Sequence, residues 1–150
     1  MGLTQLGDFL RRHQRIALDT SVFIYQVEAN LRYAGLTVDV FVWLERPGHA
    51  AVTSTITMAE LLVHPYRFSD DRQADEFHSL LSTYPNLDWV APGLPIADTA
   101  ARIRALHRLS TPDALQAATA VQSGATGMVT NDPAFKRVKE FETLVLNDLL

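Results

Sequence analysis

The sequence has no cysteine. Disulfides, thiolate metal sites and thiol catalysis are therefore excluded, and any metal site must use oxygen or histidine ligands. Oxygen ligands favour Mg²⁺ or Mn²⁺ over softer ions. No apolar run approaches the ~20 residues that a bilayer-spanning helix requires. The opening stretch MGLTQLGDFLRRHQR has no apolar signal-peptide core and ends in charge, so a cytoplasmic protein with no membrane contact is expected. There is no internal repeat, no low-complexity tract and no linker rich in Pro, Gly or Ser, so residues 1–150 are expected to form a single domain. A run of basic residues is also missing. The 13 Lys and Arg against 17 Asp and Glu leave a net charge of −4, which argues against a protein that coats nucleic acid electrostatically. A nuclease is not excluded, because part of that negative charge can belong to a metal site. The cations fall into small groups: Arg11, Arg12 and Arg15; Arg102, Arg104 and Arg108; Lys136, Arg137 and Lys139.

What is present is a hydrophobic fraction of 47%, ordinary for a soluble globular chain. Short apolar runs alternate with helical patterns. Leu3–Arg12 reads as an amphipathic helix, followed by a buried strand at Ile16–Leu18 that ends in a carboxylate. Thr20 and Ser21 are placed to cap a helix over Val22–Glu28. A helix over Thr37–Arg46 ends at Pro47 and Gly48, and Ala50–Ser54 is a second strand. Thr57–Val63 is a helix that His64 and Pro65 should stop. Then come a helix at Asp71–Thr83, a strand at Leu87–Val90 and helices at Pro95–Leu109 and Pro112–Ser123. A strand at Gly127–Thr130, a turn or short helix at Lys136–Glu140 and a strand at Thr143–Leu146 complete the chain. Alternation of this kind predicts an α/β fold with a parallel sheet and helices on both faces.

Four isolated acids mark the junctions. Asp19 ends the first strand, Glu60 lies in the first helix after the second, Asp113 opens a helix and Asp132 follows the fourth strand. In an open parallel sheet, ligands bind beyond the carboxyl ends of the strands where strand order reverses. Each acid also has an ordinary structural role open to it. Asp19 can cap a helix, in competition with Thr20 and Ser21. Asp132, between Asn131 and Pro133, suits a turn. Thr57 and Glu60 match a capping box. Asp113, read as the second helical residue, favours the helix dipole by ~0.3–1 kcal/mol. Their joint placement points further. Four carboxylates converging at one edge would raise one another's pKa, and a divalent cation removes that conflict.

In these segments the chain resembles PIN-domain proteins of the VapC-like toxin type. The resemblance lies in LDTSVFIY at Leu18–Tyr25, TITMAELLVHP at Thr55–Pro65, STPDALQAATA at Ser110–Ala120 and VTNDPAFKRV at Val129–Val138. Each piece is short, but the four in this order span most of the chain. The resemblance implies a three-layer α/β/α sandwich with a parallel five-stranded sheet of order 3-2-1-4-5. It implies a Mg²⁺- or Mn²⁺-dependent endoribonuclease with catalytic Asp19, Glu60, Asp113 and Asp132. Asp19, Asp113 and Asp132 would bind the metal, and Glu60 would bind a second ion or orient the attacking water. Thr20, Ser21, Thr130 and Asn131 would support the acids or contact phosphate. RNA is the implied substrate, a small antitoxin the implied partner and a homodimer the implied assembly.

Two alternatives stay open from the sequence. One is a PIN-type nuclease of RNA processing or of DNA, outside a toxin–antitoxin pair. The other is a non-catalytic scaffold that binds RNA or protein, although no acid of the pattern is missing. A phosphotransferase of the haloacid dehalogenase type is disfavoured, because Asp19, Thr20 and Ser21 lack the second acid of D-x-D, and a phosphate-cradling loop is absent. Lys136 and Arg137 suit either an RNA backbone contact or a solvated turn. His64 and His107 suit helix ends better than catalysis. Trp43 and Trp89 are expected in the core. Phe23, Tyr25, Phe41 and Trp43 lie on the first two helices after the first strand, where exposure would mark a partner site.

Overall fold

The structure, a computed structural model, describes residues 2–150. The chain runs α1 (Gly2–Arg11), β1 (Arg15–Leu18), α2 (Thr20–Val27), α3 (Ala34–Leu44), β2 (Ala50–Ser54), α4 (Ile56–Arg67), α5 (Asp71–Ser82), β3 (Leu87–Val90), α6 (Leu94–His107), α7 (Thr111–Gln122), β4 (Gly127–Thr130) and β5 (Glu142–Val145). Single 3₁₀ segments occupy Pro133–Arg137 and Leu146–Leu149. The five strands form one parallel sheet of order β3-β2-β1-β4-β5, as expected.

Strand alternation builds two cores. Ile16, Leu18, Ala51, Leu87 and Val129 face α1 to α5, packing on Leu6, Phe9, Phe23, Val40, Leu61 and Leu81. Their neighbours Ala17, Val52 and Met128 face the other way, onto Ile96, Ala100 and Ile103 of α6 and the alanines of α7. Successive strand residues point to opposite faces, so both sides of the short strands must be apolar. The α7 residues Ala114, Ala117, Ala118 and Ala120 are fully buried. Their small side chains let α7 lie close over β1 and β2. Its first turn thus sits near the carboxyl edge of the sheet.

Three local expectations change. Helix α4 does not stop at His64 but runs through Pro65 to Arg67. Proline lacks only its own N–H, and the carbonyls of His64 and Pro65 still accept from the amides of Phe68 and Asp70 at 3.2 and 2.8 Å. The turn after β4 begins at Pro133 rather than Lys136, because Asp132 caps it. Phe23, Phe41 and Trp43 are buried and Tyr25 half-buried, so the condition for an aromatic partner patch is not met there. Trp43 and Trp89 pack into the same core, with the Trp89 indole donating to the Leu81 carbonyl at 3.0 Å. No helix among the described residues is long and apolar enough to cross a membrane.

At the amino edge, α1 is fastened to the sheet by one carboxylate. Glu142 of β5 accepts from Arg12 at 3.1 and 2.9 Å and meets His13 Nε2 at 2.7 Å, while His13 Nδ1 meets the Thr126 hydroxyl at 2.7 Å. His13 also packs on Phe9 and on Gly127, where an added Cβ would meet Phe9 at 2.8 Å and His13 at 3.0 Å. The two cations differ in burial: the His13 side chain is 8% exposed and that of Arg12 53%. His13→Ala should therefore cost about 2 kcal/mol by opening a packed site and orphaning its partners. Arg12→Ala should cost less than His13→Ala, as exposed ion pairs contribute little. Denaturant unfolding of the two variants checks the order.

Candidate active site

Asp19 is where β1 passes into α2, and it serves both. Its amide donates to the Val129 carbonyl of β4 at 3.1 Å, holding it in the sheet. Its extended backbone (φ −78°, ψ 160°) makes it the N-cap of α2, with Oδ1 accepting from the Thr20 amide at 2.8 Å. Asp19 thus takes the capping role expected of Thr20 or Ser21, since Thr20 is already helical and its hydroxyl points elsewhere. Oδ2 accepts from the Thr130 hydroxyl at 2.8 Å, and the Ser21 hydroxyl stands 3.5 Å from it. Burial pushes the Asp19 carboxyl up from 3.8 to about 6; the bonds from Thr130 and the Thr20 amide oppose the rise, while the charges of Asp113 and Glu60 add to it.

Glu60 does not form the capping box. The N-cap of α4 is Thr55, whose side chain makes no capping bond. Thr57 lies inside the helix, fully buried, and Glu60 Oε1 instead accepts from the Thr20 hydroxyl at 2.7 Å. Behind this contact is a buried relay. Gln116 of α7, 3% exposed, accepts from the Ser54 amide at 3.3 Å and donates to the hydroxyls of Thr57 at 2.7 Å and Thr20 at 3.4 Å. The Thr53 hydroxyl donates to the Leu18 carbonyl at 2.8 Å and lies 2.7 Å from that of Thr57. Each hydroxyl has one proton. That of Thr53 is used on Leu18, so Thr57 donates to Thr53. Gln116 then supplies the donors to Thr57 and Thr20, leaving the Thr20 proton for Glu60.

Asp113 and Asp132 approach from the other side. Ser110 caps α7, accepting from the Asp113 amide at 3.3 Å, so Asp113 is the third helical residue rather than the second. It is half-buried, and burial raises its pKa; the Ser110 bond opposes that, and the charges of Asp132 and Glu60 add to it. Asp132 Oδ1 accepts from the Ala134 amide at 2.9 Å, and its own amide donates to Thr130 at 3.0 Å. The turn role and the position at the site therefore coexist. Both ends of the Asn131 side-chain amide are engaged. Its amide donates to the Tyr25 hydroxyl at 2.9 Å and accepts from the Asn147 amide at 2.8 Å, tying β4 to α2 and the C-terminal 3₁₀ segment.

Asp113 thus lies within electrostatic reach of Asp19, Glu60 and Asp132, and Glu60 within reach of Asp19; none of the four takes part in an ion pair of the described residues. As the side chains stand, no group of three His, Asp or Glu among the described residues is close enough to enclose a metal ion. The donor chemistry nevertheless fits a hard divalent cation: carboxylate and hydroxyl oxygens only, and negative charge with no protein counter-charge. On the α2, α4 and α5 side, a cleft of about 440 Å³ reaches Glu60 between Ile24, Val27, Leu61, His64 and Phe77. His64 lines this cleft and packs on Phe68, and the His107 carbonyl accepts from Arg137 at 3.1 Å. Lys136 pairs with Asp148 at 2.7 Å.

Gln116 and Thr53 have no role expected from the sequence, and Thr57 was expected only as a helix cap. Gln116 carried one signal: it is a long polar residue amid the alanines of its helix, three positions after Asp113 and so on the same face. With this site on the carboxyl edge of a 3-2-1-4-5 sheet, the protein class is a PIN-like α/β protein. The sequence model of the PIN domain matches residues 16–141, and the chain belongs to that family. No curated protein sequence matches it. Solved structures similar to it include VapBC2 from Rickettsia felis bound to a DNA fragment from its promoter, at 16% identity and TM-score 0.67 over 87% of this chain and 98% of that one. VapBC-1 from nontypeable Haemophilus influenzae is 20% identical, with TM-score 0.68 over 89% and 98%. A toxin–antitoxin complex from Klebsiella pneumoniae is 20% identical, with TM-score 0.61 over 85% and 98%.

Two predictions test the site's energetics. Gln116→Leu leaves the Ser54 amide and two hydroxyls without their partner, and should lower unfolding free energy by about 1–3 kcal/mol in urea titrations. Asp19 has a folded-state pKa above its unfolded one, so the folded chain binds the extra proton, and stability falls as pH rises from 3.8 to about 6. The accumulated cost at neutral pH is up to about 3 kcal/mol. In EDTA, the unaltered chain should therefore lose stability relative to Asp19→Asn as pH rises from about 4 to about 6, whatever the offset between the two at low pH.

Proposed function

We propose that the chain is a metal-dependent endoribonuclease that hydrolyses RNA phosphodiester bonds as the toxin of a type II toxin–antitoxin pair. The observation that carries the reading is the convergence of Asp19, Glu60, Asp113 and Asp132, from four separate elements, on one sheet edge with no protein cation among them. Bound Mg²⁺ or Mn²⁺ would polarise the scissile phosphate and lower the pKa of water at the site. Asp19, Asp113 and Asp132 would hold the ion, two of them anchored by helix or turn caps and Asp113 by its place in the first turn of α7. Glu60, kept an acceptor by the Thr20 hydroxyl, orients the attacking water and takes its proton. The water oxygen bonds to phosphorus, the bond to the 3′ oxygen breaks, and a 5′-phosphate and a 3′-hydroxyl result. Thr130 holds Asp19, Ser21 would turn from its long 3.5 Å contact with Asp19 to meet a phosphate oxygen, and Asn131 fixes the loop that carries Asp132.

An antitoxin partner is part of the proposal. It is supported by the similar folds named VapBC and toxin–antitoxin complex, and by the cleft that opens onto Glu60. Asp19→Asn and Asp113→Asn should each slow Mg²⁺- or Mn²⁺-dependent cleavage of single-stranded RNA at least about 100-fold, and Glu60→Gln by a similar factor. Wild-type rates in both aspartate variants would show that the site is elsewhere. Expression of the unaltered chain should arrest growth, and Asp113→Asn should relieve it; a housekeeping nuclease would give no arrest.

A further inference from the structure

The net charge of −4 provides no general attraction for nucleic acid, so a nuclease of this composition must grip its substrate locally. Of the 13 Lys and Arg, Arg11, Arg12, Arg15, Arg72, Arg102 and Lys136 are ion-paired. Among the described residues, Arg32, Arg46 and Arg67 are unpaired and scattered along the chain. The other unpaired cations, Arg104, Arg108, Arg137 and Lys139, come from two segments that meet. Arg137 Nη1 donates to the His107 carbonyl at 3.1 Å, joining the end of the 3₁₀ turn to the end of α6.

Both segments lead directly into the acids. Arg104 Nε donates to the Leu109 carbonyl at 3.2 Å, and the next residue, Ser110, caps the turn bearing Asp113. Arg137 closes the turn that Asp132 caps. Arg104, Arg108 and Arg137 are exposed, and an open depression of about 420 Å³ lies between Leu106, His107, Arg108 and Arg137. Leu106, 75% exposed, adds an apolar surface that a base can cover. Arg108 occupies a left-handed conformation (φ 57°) at the end of α6, where glycine is the favoured residue. The dipole of α6 accounts for cations in its last turn, but not for Arg137, which arrives from another segment. One N–H is used to fasten each of Arg104 and Arg137, so most of the five donors of each guanidinium remain free.

We propose that Arg104, Arg108 and Arg137 form a phosphate-binding rim that holds the backbone of single-stranded RNA on one side of the scissile bond. The rim lies on the α6 and α7 side of the sheet and the Glu60 cleft on the α2, α4 and α5 side, so the bound strand crosses the sheet edge between them. The assignment rests on the ribonuclease reading above.

The test is binding of a labelled single-stranded oligoribonucleotide in Mg²⁺, on an Asp113→Asn background that does not cut it. Arg108→Gln removes a charge whose side chain makes no hydrogen bond with the described residues, and Arg137→Gln keeps an amide able to donate to His107. Each should weaken binding and make the slope of log affinity against log salt shallower by about 0.7 per lost phosphate contact. Arg46→Gln and Arg67→Gln should leave affinity and slope unchanged. In the cutting-competent chain, the rim variants should raise KM with kcat nearly constant. Unchanged affinity and slope in the rim variants, with the unaltered chain cutting RNA, would overturn the rim alone. If the unaltered chain neither binds nor cuts RNA, both the rim and the function beneath it fall.

Discussion

Asp19 carries the constraint on which the rest of the site depends. Its two oxygens accept from Thr20 and Thr130, so the end of β1, the start of α2 and the end of β4 are locked together through one carboxylate. That lock holds best when Asp19 is ionised, yet burial and the facing charges of Asp113 and Glu60 push its pKa up to about 6. A fold optimised for stability alone would place an uncharged cap there. The carboxylate is tolerated because two strong donors offset its desolvation, and the remaining imbalance is what a cation would relieve.

The proposed chemical roles fall on atoms that already carry structural ones. Asp132 caps a turn through Oδ1 and receives support through its own amide, which leaves its carboxylate fixed in place beside Asp113. Asp113 lies in the first turn of α7, where the N-terminal end of the helix favours its charge. Caps restrict rotamers, and restricted rotamers are what a site with several ligands requires. Glu60 differs. It is exposed, and its orientation comes from Thr20, which Gln116 holds from across the sheet edge. The acid with the least burial thus depends on the longest chain of supporting bonds.

The two cores explain why the edge can be built this way. Helices α2 and α4 belong to one layer and α7 to the other, so acids from both layers can meet only where the sheet ends. Gln116 and Thr57 bridge the layers at that point, replacing apolar packing with hydrogen bonds between buried polar groups that are all satisfied.

Much of this was legible in the sequence. Short strands apolar on both faces, separated by helical patterns, specify a parallel sheet, and isolated acids at their ends specify its carboxyl edge. Those signals are local, since burial on both faces leaves a continuous apolar run and a strand end leaves a polar residue. The strand order followed from the resemblance carried by four short motifs, not from periodicity. What only the tertiary structure decided is the partner of each polar group. Thr57 and Glu60 have the spacing of a capping box, but Thr57 is drawn into a buried cluster and Glu60 turns to a residue 40 positions earlier. Pro65 has the look of a helix stop, but the following amides still find carbonyls. Gln116 reads as an ordinary helix residue until Ser54, Thr57 and Thr20 surround it. Sequence spacing determines which side chains share a face of one element; which faces meet, and so which donor finds which acceptor, is settled by packing between elements far apart in the chain.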